Sequence, residues 1–104
     1  MEPRERYDEI ADDLLARNED VSLGQMMGMP CIKNGSKMIG GFSRGAMVFK
    51  LTDVTVREQA LSLEGAHLFD SSGEGRPFRE WVVVPAAHAG RWPEFAQRAL
   101  MPSA

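Results

Sequence analysis

The sequence predicts an α+β domain: a five-stranded antiparallel sheet with three helices, in the order α-β-β-β-α-β-β-α. Two observations carry most of that prediction. The run Gly24 to Leu51, GQMMGMPCIKNGSKMIGGFSRGAMVFKL, holds three short apolar stretches separated by two turn signals, Asn34-Gly35 and Ser43-Arg44-Gly45. Such a pattern reads as a three-stranded meander. On either side of it lie segments whose apolar residues recur at the three- and four-residue spacing of a helix face. The length of 104 residues suits one domain spanning 1–104, and 43% hydrophobic residues suffice for one core.

The first helix is marked by Tyr7, Ile10, Ala11, Leu14 and Leu15, at i, i+3, i+4, i+7 and i+8, with Glu5, Asp8, Glu9, Asp12 and Asp13 on the other face. Early acids and the late Arg17 suit the helix dipole, and the pattern ends near Asn18. The first strand is expected from Gln25 to Ile32. Period two sets Met27, Met29 and Cys31 on one face and Met26, Gly28, Pro30 and Ile32 on the other. Pro30 donates no ladder hydrogen bond, so this strand should be an edge or carry a bulge. Lys37 to Phe42 follows, where Gly40-Gly41 suggests a bulge or a helix packed close to the backbone. Ala46 to Leu51 then points Met47, Phe49 and Leu51 one way and Ala46, Val48 and Lys50 the other.

Thr55-Val56-Arg57-Glu58 fits a capping box for the second helix, with Ala60, Leu61 and Leu63 on its buried side and Gly65 after its end. A short fourth strand is expected near Ala66 to Phe69, then a polar loop, Asp70 to Pro77. The fifth strand, Arg79 to Val84, contains Trp81-Val82-Val83-Val84, apolar on both faces and therefore central. Trp92, Phe95, Ala96, Ala99 and Leu100 mark the last helix, which Pro93 restricts to starting near Arg91.

Composition excludes several functions. Formal net charge is −3, and the 12 Lys and Arg residues are scattered with no two adjacent. Direct nucleic-acid binding is not expected without a basic patch. No apolar run approaches the roughly 20 residues of a membrane-spanning helix. The charged start MEPRERYDEI has no apolar signal core, so a cytoplasmic location is expected. One cysteine, Cys31, permits no internal disulfide and no cysteine metal cluster.

Three stretches resemble the N-terminal domain of the competence regulator TfoX (Sxy). They are Gly28-Met29-Pro30-Cys31-Ile32, the hairpin GSKMIGGF from Gly35 to Phe42, and Val48-Phe49-Lys50-Leu51. The stretch Gly75 to Pro85, GRPFREWVVVP, with Trp92 beyond it, is similar to stand-alone members of that family. The resemblance covers about Val21 to Leu100. It implies an α+β fold related to secretion chaperones and a non-enzymatic regulatory role. It defines no catalytic or cofactor residue.

Candidate chemistry is sparse. Cys31 could act as a nucleophile with His67 or His88 as base, but no nucleophile motif surrounds it, and a small buried thiol is the plainer reading. The two histidines lack metal-ligand spacing, so neither a metal nor a cofactor is expected. The loop Gly73-Glu74-Gly75-Arg76-Pro77 leads into a strand, unlike a phosphate loop, which opens a helix. Its Arg76, with Arg79, is the candidate for an anion contact. Five of the seven methionines, Met26, Met27, Met29, Met38 and Met47, lie in the meander. Methionine fills cores and also forms adaptable binding surfaces. Two readings follow. In the first the chain is a cytoplasmic regulatory or interaction module, homodimeric or gripping another protein through an apolar patch drawn from Met26, Ile32, Ile39 and Val48. The alternative is a small-ligand binder or minor enzyme with its site near Cys31 and the Gly73–Arg79 loop.

Overall fold

The computed structural model describes residues 1–26, 28–70, 75 and 78–101. Among the described residues lie three α-helices and six strands. In chain order they are α1 (Pro3–Arg17), β1 (Val21–Met26), β2 (Met29–Asn34), β3 (Lys37–Ser43), β4 (Ala46–Lys50), α2 (Val54–Leu61), β5 (His67–Leu68), β6 (Trp81–Val84) and α3 (Trp92–Leu100), with a 3-10 turn at Ala86–Arg91. The sheet is antiparallel and open, in the order β1-β2-β3-β4-β6-β5. The α+β class stands, and the expected five strands become six.

The extra strand comes from the segment read as one strand over Gln25 to Ile32. It is a hairpin in which Met26 pairs with Met29, Gly24 with Cys31 and Val21 with Asn34. Gly28 sits at the reversal with φ +77°, a conformation that costs glycine nothing and a side-chain-bearing residue a good deal. The reversal also relocates Pro30, expected on an edge or at a bulge, to the interior strand β2. Pro30 faces Gln25, one residue from the closing pair, where a two-residue hairpin makes no cross-strand hydrogen bond. Pairing with β3 begins only at Cys31, so the missing N–H is never required.

The bulge lies in β3. Ile32 pairs with Gly40 and Lys33 with Met38, which leaves Ile39 as the extra residue. A bulge of this kind turns two consecutive residues to one side of the sheet. Ile39 and Gly40 both meet the helix layer, alongside Leu14, Ala96 and Ala99. An alanine Cβ at Gly40 would lie 3.1 Å from the Val48 carbonyl oxygen, so the glycine allows the close fit.

All three helices cover one face of the sheet. Tyr7, Ile10, Ala11 and Leu14 of α1, Val56 and Ala60 of α2, and Trp92, Phe95, Ala96 and Ala99 of α3 pack on it. The facing strand residues are Ile32, Ile39, Met47, Phe49, Val82 and Val84. Phe49 and Phe95 meet with ring centroids 5.9 Å apart, and the Trp92 indole N–H donates to the Val84 carbonyl at 3.0 Å. Leu15, read as part of the α1 stripe, is exposed instead, because it falls past the flank of the sheet-facing arc. The α2 cap is Asp53 rather than Thr55: its Oδ1 accepts from the Thr55 N–H at 2.9 Å and the Val56 N–H at 3.3 Å. The expected central strand is interior, between β4 and β5, though shorter than read.

Candidate functional site

The face opposite the helices carries its own apolar layer. Met29, Cys31 and Met38 form one buried group, and Ala46, Val48 and Val83 another. Phe69 and Trp81 pack against both. Two of the methionines lean over a glycine: the Met29 and Met38 methyl groups occupy the space an alanine Cβ at Gly41 would need. Here methionine substitutes for a covering helix, its flexible thioether filling the irregular gap over the strands.

Of the four residues expected to form an exposed apolar patch, only Met26 is exposed, at 39%. Ile32 and Ile39 are buried under the helices, and Val48 is buried beneath Phe69 and Trp81. The reason is the misread hairpin and the bulge: Met26 belongs to a different strand from Ile32, and Ile39 turns inward. Met27 and Arg76 lie outside the described residues, as do Gly73, Glu74 and Pro77. Arg79 is exposed in the turn before β6.

Next to the methionine layer lies an open groove of about 720 Å³, bounded by Met29, Phe42, Arg44, His67, Asp70 and Val83 among others. The Asp70 Oδ2 accepts from the Gly75 N–H at 2.9 Å. Cys31 does not reach this groove, since its side chain is fully buried at 0% exposure. A ligand site opening on that thiol therefore does not form. His67 Nδ1 lies 3.1 Å from the Gly65 carbonyl, and the His88 Nε2–H donates to the Glu64 carbonyl at 2.8 Å. Both rings are thereby engaged with the segment after α2. Among the described residues, no three His, Cys, Asp or Glu side chains converge to hold a metal ion. No helix among the described residues is long and apolar enough to cross a membrane.

The most distinctive surface is a sheet edge. The edge strand β1 reads Val21-Ser22-Leu23-Gly24-Gln25-Met26, six residues without a charge or a proline. The opposite edge, β5, has two residues. In the β1–β2 hairpin the closing Met26–Met29 pair is the hydrogen-bonded one, so alternation leaves the backbone groups of Leu23 and Gln25 facing outward. The Leu23 side chain is 44% exposed beside them. Natural edges are usually blunted by charge, proline, a bulge or brevity. None of these devices interrupts β1. Sequence reasoning missed Leu23 because it began the sheet at Gln25. The alternation Val21-Ser22-Leu23 and the small Gly28 were the available signals.

Comparison of the chain with protein-family models, curated proteins and solved structures finds no match in any of the three.

Proposed function

We propose that this chain is a non-enzymatic cytoplasmic regulatory module that works through protein contacts, with a second copy of itself as its first partner across β1. The uncharged six-residue edge carries this reading. A two-fold antiparallel pairing that sets Leu23 of one copy against Gln25 of the other would form four backbone hydrogen bonds. It would also cover two pairs of half-exposed Leu23 and Met26 side chains. The likeness of the Gly28–Ile32, Gly35–Phe42 and Val48–Leu51 stretches to the TfoX N-terminal domain supports the regulatory part, including a link to competence or transcription control.

Sedimentation velocity from about 1 µM to about 1 mM spans the range in which weak specific pairs assemble. A monomer–dimer equilibrium is expected there. Leu23→Lys puts a charge on the edge and should move that equilibrium to monomer with unchanged circular dichroism. A chain that stays monomeric throughout overturns the proposal, as does a dimer that neither Leu23→Lys nor Met26→Glu weakens.

A further inference from the structure

Where the end of β4 meets the entry to β6 a second hollow gathers positive charge. Lys50 at the end of β4, Arg57 in the first turn of α2, and Arg79, Glu80, Phe78 and Trp81 around the entry to β6 line a groove of about 440 Å³. Three cations and one carboxylate face it, in a chain whose formal net charge is −3. Among the described residues none of the three cations makes an ion pair. Like charges gathered in one hollow repel, and among the described residues lining it only the Glu80 carboxylate offsets them.

The groove is also held in shape. The Arg57 Nη1–H donates to the Leu51 carbonyl at 3.0 Å, which fixes the guanidinium and leaves its other four N–H groups for a ligand. The Leu51 N–H donates to the Glu80 carbonyl at 2.8 Å, tying the end of β4 to the turn before β6. Phe78 stacks on Phe69 with ring centroids 6.0 Å apart and planes inclined by 20°, so its partly exposed ring has a defined orientation. A planar fork of donors suits phosphate, and fixed aromatic walls suit a flat ring. The volume falls within the roughly 300–1,000 Å³ of small-molecule sites.

We propose that this groove binds a small phosphorylated ligand bearing a planar ring, of the mononucleotide class. Arg57 and Arg79 grip the phosphate, Lys50 adds charge, Phe78 and Trp81 flank the ring, and Glu80 accepts from a ring amine or sugar hydroxyl. The site is independent of the β1 edge.

The test is amide chemical-shift mapping on the full chain with adenosine 5′-monophosphate, adenosine and inorganic phosphate as separate probes. The monophosphate should shift residues 50–57 and 78–81 and the Trp81 indole, with a dissociation constant below about 1 mM. Adenosine and phosphate should each bind at least roughly tenfold more weakly, a loss of about 1.4 kcal/mol. The double variant Lys50→Gln/Arg79→Gln, at one half-buried and one exposed position, should weaken the monophosphate by a similar factor at an unchanged melting temperature. The proposal is overturned by an absence of shifts at about 5 mM monophosphate, by shifts centred elsewhere, or by a double variant that binds as the parent does. Adenosine binding equally well removes the phosphate role, and phosphate binding equally well removes the ring role; either sinks the ligand class.

Discussion

Gly41→Ala forces a methyl group into a filled space on the face without helices. Its Cβ would lie 2.9 Å from the Met29 Cε, 2.9 Å from the Pro30 carbonyl oxygen and 3.2 Å from the Met38 Cε. The two methionine methyls can swing aside, because the thioether chain has several accessible rotamers. The Pro30 carbonyl cannot, since β2 is held on both sides by β1 and β3. Relief must therefore come from separating β2 and β3, with both methionines displaced as well. Overpacking of this kind costs about 1–3 kcal/mol. In a domain of this size each kcal/mol moves the melting temperature by roughly 4–8 °C, so a fall of about 4–24 °C is expected. Thermal and urea unfolding followed by circular dichroism measure it. Gly24→Ala is the matched control: it also lies in a strand opposite Cys31, but its Cβ would meet nothing nearer than 3.9 Å. That variant should hold or gain up to about 1 kcal/mol by restricting the unfolded chain. The reasoning fails if Gly41→Ala stays within about 0.5 kcal/mol of the parent, the range of ordinary surface changes, or if Gly24→Ala falls as far.

Asp53→Ala should destabilise by about 1 kcal/mol in urea titration, because it strips the acceptor from the Thr55 and Val56 amides. Asp53→Asn should keep most of that stability, since the exposed 3.6 Å contact with Arg98 is worth little. Tyr7 gives a pH signature. Burial, aided by the nearby Cys31, pushes its phenol above the ordinary value of 10.0. A raised folded-state pKa means its contribution to stability is complete below about pH 10 and is lost as pH rises beyond it. The urea midpoint should therefore decline above that pH, and Tyr7→Phe should flatten the decline. Tyr7 is the single tyrosine of the chain, so its phenolate absorbance reports the titration directly.

Helical elements were the most legible part of the sequence, because their apolar spacing is enforced by burial against one sheet face. Tyr7, Ile10, Ala11 and Leu14 all pack where their periodicity placed them. The β1–β2 hairpin was not legible, for a physical reason. Met26-Met27-Gly28-Met29 is apolar throughout, so polarity does not announce the reversal at Gly28. In the next hairpin the expected Asn34-Gly35 turn falls one residue later, on Gly35-Ser36, because Asn34 stays in β2 paired with Lys37. Once the Gly28 reversal was missed, period-two counting carried Met26 onto the face of Ile32, and the patch of Met26, Ile32, Ile39 and Val48 dissolved in the fold. The bulge at Ile39 was signalled by Gly40-Gly41, but its direction was not, because only the partner strand fixes which side the extra residue takes. The capping of α2 went to Asp53 because it accepts from the Thr55 and Val56 amides and starts the helix at Val54, which places Thr55 inside the first turn. For the surface sites, Arg79 was visible as an isolated cation. Its neighbours Lys50 and Arg57 were not, since the β4–β6 pairing that gathers them joins distant parts of the chain.

That pairing also sets how the molecule comes apart. Strands β1 to β4 are joined to their neighbours by tight reversals, so each is within a few residues of its partner. β6 reaches β4 only after the chain has passed through α2 and β5, and among the described residues β5 pairs with β6 alone. The Leu51–Glu80 hydrogen bond closes the same seam at the end of β4. Opening along β4 would release β5, uncover Val48 and dismantle the cationic groove in a single event. The seam therefore joins two parts of unequal kind: a meander paired locally along the chain, and C-terminal strands whose order is conditional on docking against β4.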